Sequence, residues 1–346
     1  MDNTIKPDNT KKQDRNQAVN CLKMFSVIAI FLIHCKFPGK TGEIIRGIAS
    51  FGVPVFFLIA GFYSYQIPAE KIKKRIGHIL GLVAAANLFY LLWDIVFLRL
   101  TGEQVTAWFA ETFSGKKLLV FLLFNETPLR GHLWFLGALL YCYIVLLLVA
   151  RQEKHRFLKV GVVLLLAGNI LLGEVATALG HNLQIPYVRN WLFCGLPFFF
   201  LGYLLKAEKT EHPEQKTPRF SGKIQLSVMA VCVVTAAGEA WLIPDTELSV
   251  STMVLAILAF IYVTEKDTKT EITGKITGKW LAFIDANASL IYILQVAVIK
   301  SIQWGEQRLG MVSDGFMGWL NPFLAFAVTC LLAAAVTAGR RIIRKG

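Results

Sequence analysis

About ten times along its 346 residues this chain runs apolar for a length close to that needed to cross a bilayer, and no other feature restricts its fold so strongly. The runs cover 18–35, 47–66, 76–98, 132–150, 158–178, 190–205, 224–243, 249–264, 282–303 and 319–339. In hydrocarbon each backbone N–H and C=O must find its partner within the protein, so every run is predicted to be a helix. The stretch 118–124 is too short to span. Composition agrees, with 55% hydrophobic and only 17% charged residues, where a soluble domain carries about a quarter charged. The expected fold is all-α: a polytopic integral membrane protein of about ten transmembrane helices.

Basic residues sort between alternate connections. One set holds the N-terminal arm, Lys71 to Arg75, the connections near 151–159, 206–223 and 266–279, and the C-terminal tail. It carries about 25 Lys and Arg against about 10 in the other set, which places both termini in the cytoplasm. Residues 1–17 then form a cytoplasmic arm, 18–340 a membrane domain and 341–346 a short basic tail. The net charge of +13 is spread over every inner loop, which argues against a nucleic-acid partner and for attraction to membrane lipid. The first run follows a polar arm without a small-residue cleavage site and reads as a retained helix. The six cysteines are scattered over five apolar runs with no CxxC spacing, which speaks against a metal cage or disulfide scaffold. Cys35 invites a nucleophile reading, but apolar surroundings leave a thiol inert.

Ionisable groups at membrane depth are expensive and default to functional candidates. At about 100° per residue Asn20, Lys23, Val27, Ile30 and His34 share one stripe of the first helix, the pattern of a lined cavity. His34 lies roughly 24 Å from the helix start, in the outer half of the bilayer. Alternatively Lys23 snorkels and His34 bonds a neighbouring carbonyl. Glu239, within an apolar run, is the strongest of the other buried carboxylate candidates; Asp94 and Glu174 fall near outer ends. His132, Trp134, Arg189 and Trp191 suggest an outer vestibule, although an aromatic belt accounts for Trp191.

The order Arg15, Asn20, Lys23, His34, then Phe51-Gly-Val-Pro-Val-Phe-Phe-Leu-Ile-Ala-Gly-Phe62, resembles the opening of the membrane-bound acyltransferase-3 family. Further likenesses follow in Lys71-Ile-Lys73-Lys74-Arg75, Leu133-Trp134-Phe135-Leu136, the Pro-Phe-Phe-Phe-Leu-Gly run at 197–202, and Ser289-Leu-Ile-Tyr292-Ile-Leu294. The resemblance covers about the whole chain. It implies an acyltransferase moving an acyl group, commonly acetyl, from acetyl-CoA or another acyl-CoA to a hydroxyl of a cell-surface carbohydrate or similar acceptor, at the cell membrane and without a metal. The region 188–202 with Leu123-Phe-Asn125 and His132-Leu-Trp134 also resembles the membrane half of vancomycin-resistance serine racemases, which sets up a transporter of a small polar solute as the alternative.

Departures from the family pattern are Gln295 where a second histidine is common, Arg75-x-x-His78 in place of an Arg pair, and Asn20 in place of Asp. They leave His34 as the expected sole imidazole of the core. Acyl transfer to an alcohol needs a base that works near neutrality, which assigns that role to His34. Arg15, Lys71, Lys73, Lys74 and Arg75 are the expected partners of the donor's phosphates. Asn20, Lys23, Glu239, Trp134, Arg189, Ser289, Tyr292 and Gln295 are the expected substrate- or cavity-lining residues.

Overall fold

The computed structural model describes residues 17–149, 155–181, 183–212, 221–244, 246–265, 275–310 and 315–343, with His155 and 275–277 described by their backbone alone. Among these residues there are helices and no strands. In chain order they are α1 (Gln17–His34), α2 (Gly39–Ala49), α3 (Gly52–Phe62), α4 (Ala69–Thr101), α5 (Val105–Thr112), α6 (Gly115–Phe124), α7 (Trp134–Val149) and α8 (His155–Ile170). Then come α9 (Ala176–Ala178), α10 (Ile185–Val188), α11 (Leu196–Glu211), α12 (Gly222–Leu242), α13 (Val250–Glu265), α14 (Lys275–Arg308) and α15 (Phe316–Ile343). Among the described residues nine helical spans are long and apolar enough to cross a membrane, and the shorter apolar α13 joins them. The protein is an all-α polytopic membrane protein.

The outer surface shows why. On α4, Leu80, Leu88, Leu92, Val96 and Leu100 are all more than half exposed and recur every four or eight residues. Such a stripe would be a liability in water and is the natural face toward lipid. The opposite side of α4 buries Ile72, Ile79, Ala86, Tyr90 and Asp94.

The expected second span, 47–66, is corrected. It starts at Gly39 and is broken after Ala49, so that α2 and α3 are two helices separated by Ser50 and Phe51. Pro54 explains part of the break, because a proline in the first turn of a helix has no N–H to offer the preceding turn. Arg46 near the end of α2 is thereby carried to the loop before α13, where it donates to the Pro244 carbonyl at 2.9 Å and to Glu247 at 3.0 Å.

At the centre α3 crosses α11 with backbone on backbone. A Cβ on Gly61 would stand 1.7 Å from the Phe199 carbonyl oxygen, and one on Gly202 2.1 Å from that of Leu58. In a bilayer close approach of this kind substitutes for the hydrophobic drive that water would supply. Phe57, Leu58, Phe198 and Phe199 around the crossing are fully buried.

Candidate functional site

The connection leading to α7 and the one leading to α11 are held by asparagines. Asn125, in the left-handed region at φ 56°, ends α6; its amide donates to the Trp134 carbonyl and its oxygen accepts from the Trp191 N–H, both at 2.8 Å. Asn190 caps the π-helical turn Trp191–Gly195 by accepting from the Leu192 and Phe193 N–H groups. Asn169 of α8 donates to the Phe193 carbonyl at 3.1 Å. These three side chains, two of them in motifs singled out above, set the positions of His132, Trp134 and Arg189.

Two cavities result. The smaller, about 50 Å³, lies at the end of α1 and is lined by His34, Arg46, Trp134, Arg189, Cys194 and Glu247 among others. Glu247 accepts from Arg46 and from Arg189, each at 3.0 Å, and Arg189 also approaches Glu126 at 3.6 Å. Arg189 lies over the Trp134 ring at 5.5 Å. Burial pushes the Glu126 carboxyl above its ordinary range, while the adjacent Arg189 draws it down.

The larger cavity, about 470 Å³, is mostly apolar, with Val27, Ile30, Phe56 and Leu139 in its wall. Lys23, Lys74, Arg75 and His78 supply its basic groups; Tyr292 and Gln295 line it farther along α14. Lys23 is ion-paired with Asp285 at 2.7 Å. Arg75 spends its guanidinium on the turn between α3 and α4, donating to Ser64, to the Tyr143 hydroxyl and to the Tyr63 carbonyl at 2.8, 3.2 and 3.1 Å. The side-chain Nε2 of Gln295, a residue only 1% exposed, has no hydrogen-bond partner.

His132 lies between the cavities. Its ring is 5.6 Å from that of His34 and 5.5 Å from that of Tyr292, and its carbonyl accepts a hydrogen bond from the Tyr292 hydroxyl. Its Nε2 is buried without a partner. His34 is therefore not the sole imidazole of the core: the chain's second one enters from the start of α7, not from α14. Tyr90 packs against the same ring at 5.3 Å and is fixed by donating to the Ile293 carbonyl.

The expected site residues divide accordingly. His34, Trp134 and Arg189 meet at the small cavity, and Lys23, Lys74, Arg75, Ser289, Tyr292 and Gln295 line the large one. Asn20 lines neither. Lys71 and Lys73 are exposed, Lys73 pairing with Glu70 at 3.0 Å. Glu239 accepts from Ser251 at 2.5 Å and borders a void of about 10 Å³ that shares Ser50 and Thr246 with the small cavity. Arg15 lies outside the described residues. Arg46, Glu126 and Glu247 were missed as site residues because each sits in or near a connection, where its charge reads as topology.

The family model of the acyltransferase-3 acyltransferase domain matches residues 16–338. The chain belongs to the acyltransferase-3 family. That membership makes it a multi-pass membrane acyltransferase, using an acyl donor and an acceptor. Comparison with curated proteins and with solved structures returns no match. Among the described residues no group of three His, Cys, Asp or Glu is placed to hold a metal ion.

Proposed function

We propose that this acyltransferase works at the cell membrane, moving an acetyl or similar short acyl group from acyl-CoA to a hydroxyl of a cell-surface carbohydrate or related acceptor, with His34 as general base. The observation that carries the reading is the stepwise path from the large cavity through Tyr292 and His132 to His34. A donor with phosphates at one end and a thioester at the other suits a cavity whose basic residues cluster at the start of α4 and whose interior is apolar. Lys74 and His78 are better placed to meet phosphates than Arg75, which is already engaged by three acceptors. The positive-inside pattern puts this cavity on the cytosolic side, where coenzyme A is made.

In the transfer the acceptor oxygen bonds the acyl carbon, the carbon–sulfur bond breaks, and the hydroxyl proton passes to His34 and on to the leaving thiolate. Arg46 and Arg189 provide cations beside His34 while Glu126 and Glu247 keep the cavity close to neutral. His132, with an unpartnered Nε2 next to the His34 ring, is a second acid–base group on this path. Meeting of thioester and His34 requires Tyr292 to part from His132.

The test is transfer of labelled acetyl from acetyl-CoA to the envelope fraction of cells making wild type, His34→Ala or Lys74→Ala at equal membrane abundance. Loss of label by about 100-fold or more in His34→Ala is expected for removal of a general base. Undiminished label in that variant overturns the assignment. Saturable uptake of a small polar solute by wild type, with no dependence on acyl-CoA, would instead support transport.

A further inference from the structure

A third cavity, about 450 Å³, shares no lining residue with the other two. It opens where α1 ends, α14 ends and α15 begins, with Lys36, Phe37, Gln303, Glu306, Gln307 and Asn321 in its wall. Glu306 is only 6% exposed. One of its carboxylate oxygens accepts from the Asn321 amide at 3.2 Å. Its Oε1, and the Oδ1 of Asn321, are buried without any hydrogen-bond partner.

Burying a carboxylate oxygen with nothing to accept from is costly, and a fold retains such an atom where a ligand completes it. Both open atoms are acceptors, so the complement must be a donor. A primary ammonium offers three N–H groups and the charge that a carboxylate selects. At the same cavity's rim the exposed Lys36 brings a cation, which calls for an anion on the same ligand. Aromatic rings fix the depth: Phe37 packs on Trp319 and Phe323, each at 5.7 Å, and Trp319 and Phe323 are 45% and 65% exposed. Partly exposed tryptophan at a span end marks headgroup level.

We propose that this crevice binds a zwitterionic group, its primary ammonium held by Glu306 and Asn321 and its anion facing Lys36. The group fits either the headgroup of an ethanolamine phospholipid or a free zwitterion of the same chemistry. The inference does not depend on the acyl-transfer reading, and its readout is binding alone.

The test uses the full chain in micelles free of ethanolamine lipid, titrated with O-phosphoethanolamine and, as comparator, phosphocholine, whose quaternary nitrogen has no N–H to donate. Wild type is expected to bind O-phosphoethanolamine at least about tenfold more tightly than phosphocholine, and Glu306→Gln to lose about tenfold. Lys36→Ala, an exposed substitution, is expected to weaken binding as well, so the test survives a Glu306→Gln chain that fails to fold. Repeating the titration in nanodiscs with ethanolamine phospholipid separates the sources: loss of soluble binding identifies the lipid as occupant, and unchanged binding a free zwitterion. Absence of binding by wild type in micelles, equal affinity for phosphocholine, or indifference to both substitutions overturns the proposal.

Discussion

Glu247 joins two guanidiniums that lie far apart in the chain, one near its start and one near its middle, and cutting it tests whether the His34 cavity is held together electrostatically. It accepts from Arg46 and Arg189 at 3.0 Å, and all three side chains are between 17% and 20% exposed. Removing one partner of a fully buried pair costs about 3–5 kcal/mol; with a fifth of each side chain in solvent, about 2–3 kcal/mol is the better figure for Glu247→Ala. Unfolding entropy of about 2 cal/mol/K per residue over 346 residues gives about 0.7 kcal/mol/K, so the thermal midpoint should fall by about 3–4 °C. The assay is thermal unfolding in micelles followed with a thiol-reactive fluorophore, which reports release of the buried Cys142 and Cys194. Cys194 lines the same cavity. Arg46→Ala and the double variant complete a cycle, with an expected coupling of about 1–2 kcal/mol. Additivity within about 0.5 kcal/mol would show that Arg46 and Glu247 do not depend on each other and would refute the reasoning.

Three further outcomes are expected. Gly61→Ala and Gly202→Ala each drive a Cβ into a backbone carbonyl, where no side chain can yield, and should cost more than about 4 kcal/mol, seen as loss of the monodisperse peak on size exclusion. Gly238→Ala, with open space around its Cβ, is the matched control and should leave that peak intact. Because the Glu126 carboxyl is raised in the folded protein, the fold takes up its proton at higher pH than the unfolded chain. Wild type should therefore gain stability relative to Glu126→Gln as pH falls from neutral toward the ordinary carboxylate range, and parallel curves of thermal midpoint against pH would contradict this. Arg75→Lys keeps the charge but loses the fork that reaches Ser64, Tyr143 and Tyr63 together, and should lower stability by about 1–2 kcal/mol in the same thermal assay.

Spans were readable from the sequence because a bilayer accepts few solutions, and hydropathy alone counts them. The break at Ser50 and Phe51 was harder, since the run on both sides stays apolar and only Pro54 hints at it. On α1 the period of 3.6 placed Lys23, Val27, Ile30 and His34 on one face, yet could not show that this face serves two cavities with His34 in the second. The charge network defeated sequence reasoning for a different reason. Arg46 and Glu247 are 201 residues apart and meet only because α2 stops short. His132 was visible as a residue, but its neighbour was not: the ring contact with His34 depends on how Asn125 pins the start of α7, a long-range effect no local pattern encodes.

The glycine crossing of α3 and α11 also constrains how the molecule moves. Where carbonyl oxygen meets glycine Cα there is no side chain to change rotamer, so sliding or tilting of one helix on the other meets a hard wall at once. That pair behaves as a keel. Around His132 the barrier between the cavities is made of rings and one hydroxyl contact, all of which yield to side-chain rotation. Any gate between the two cavities is therefore hung on α14, swinging Tyr292 against a frame that does not give.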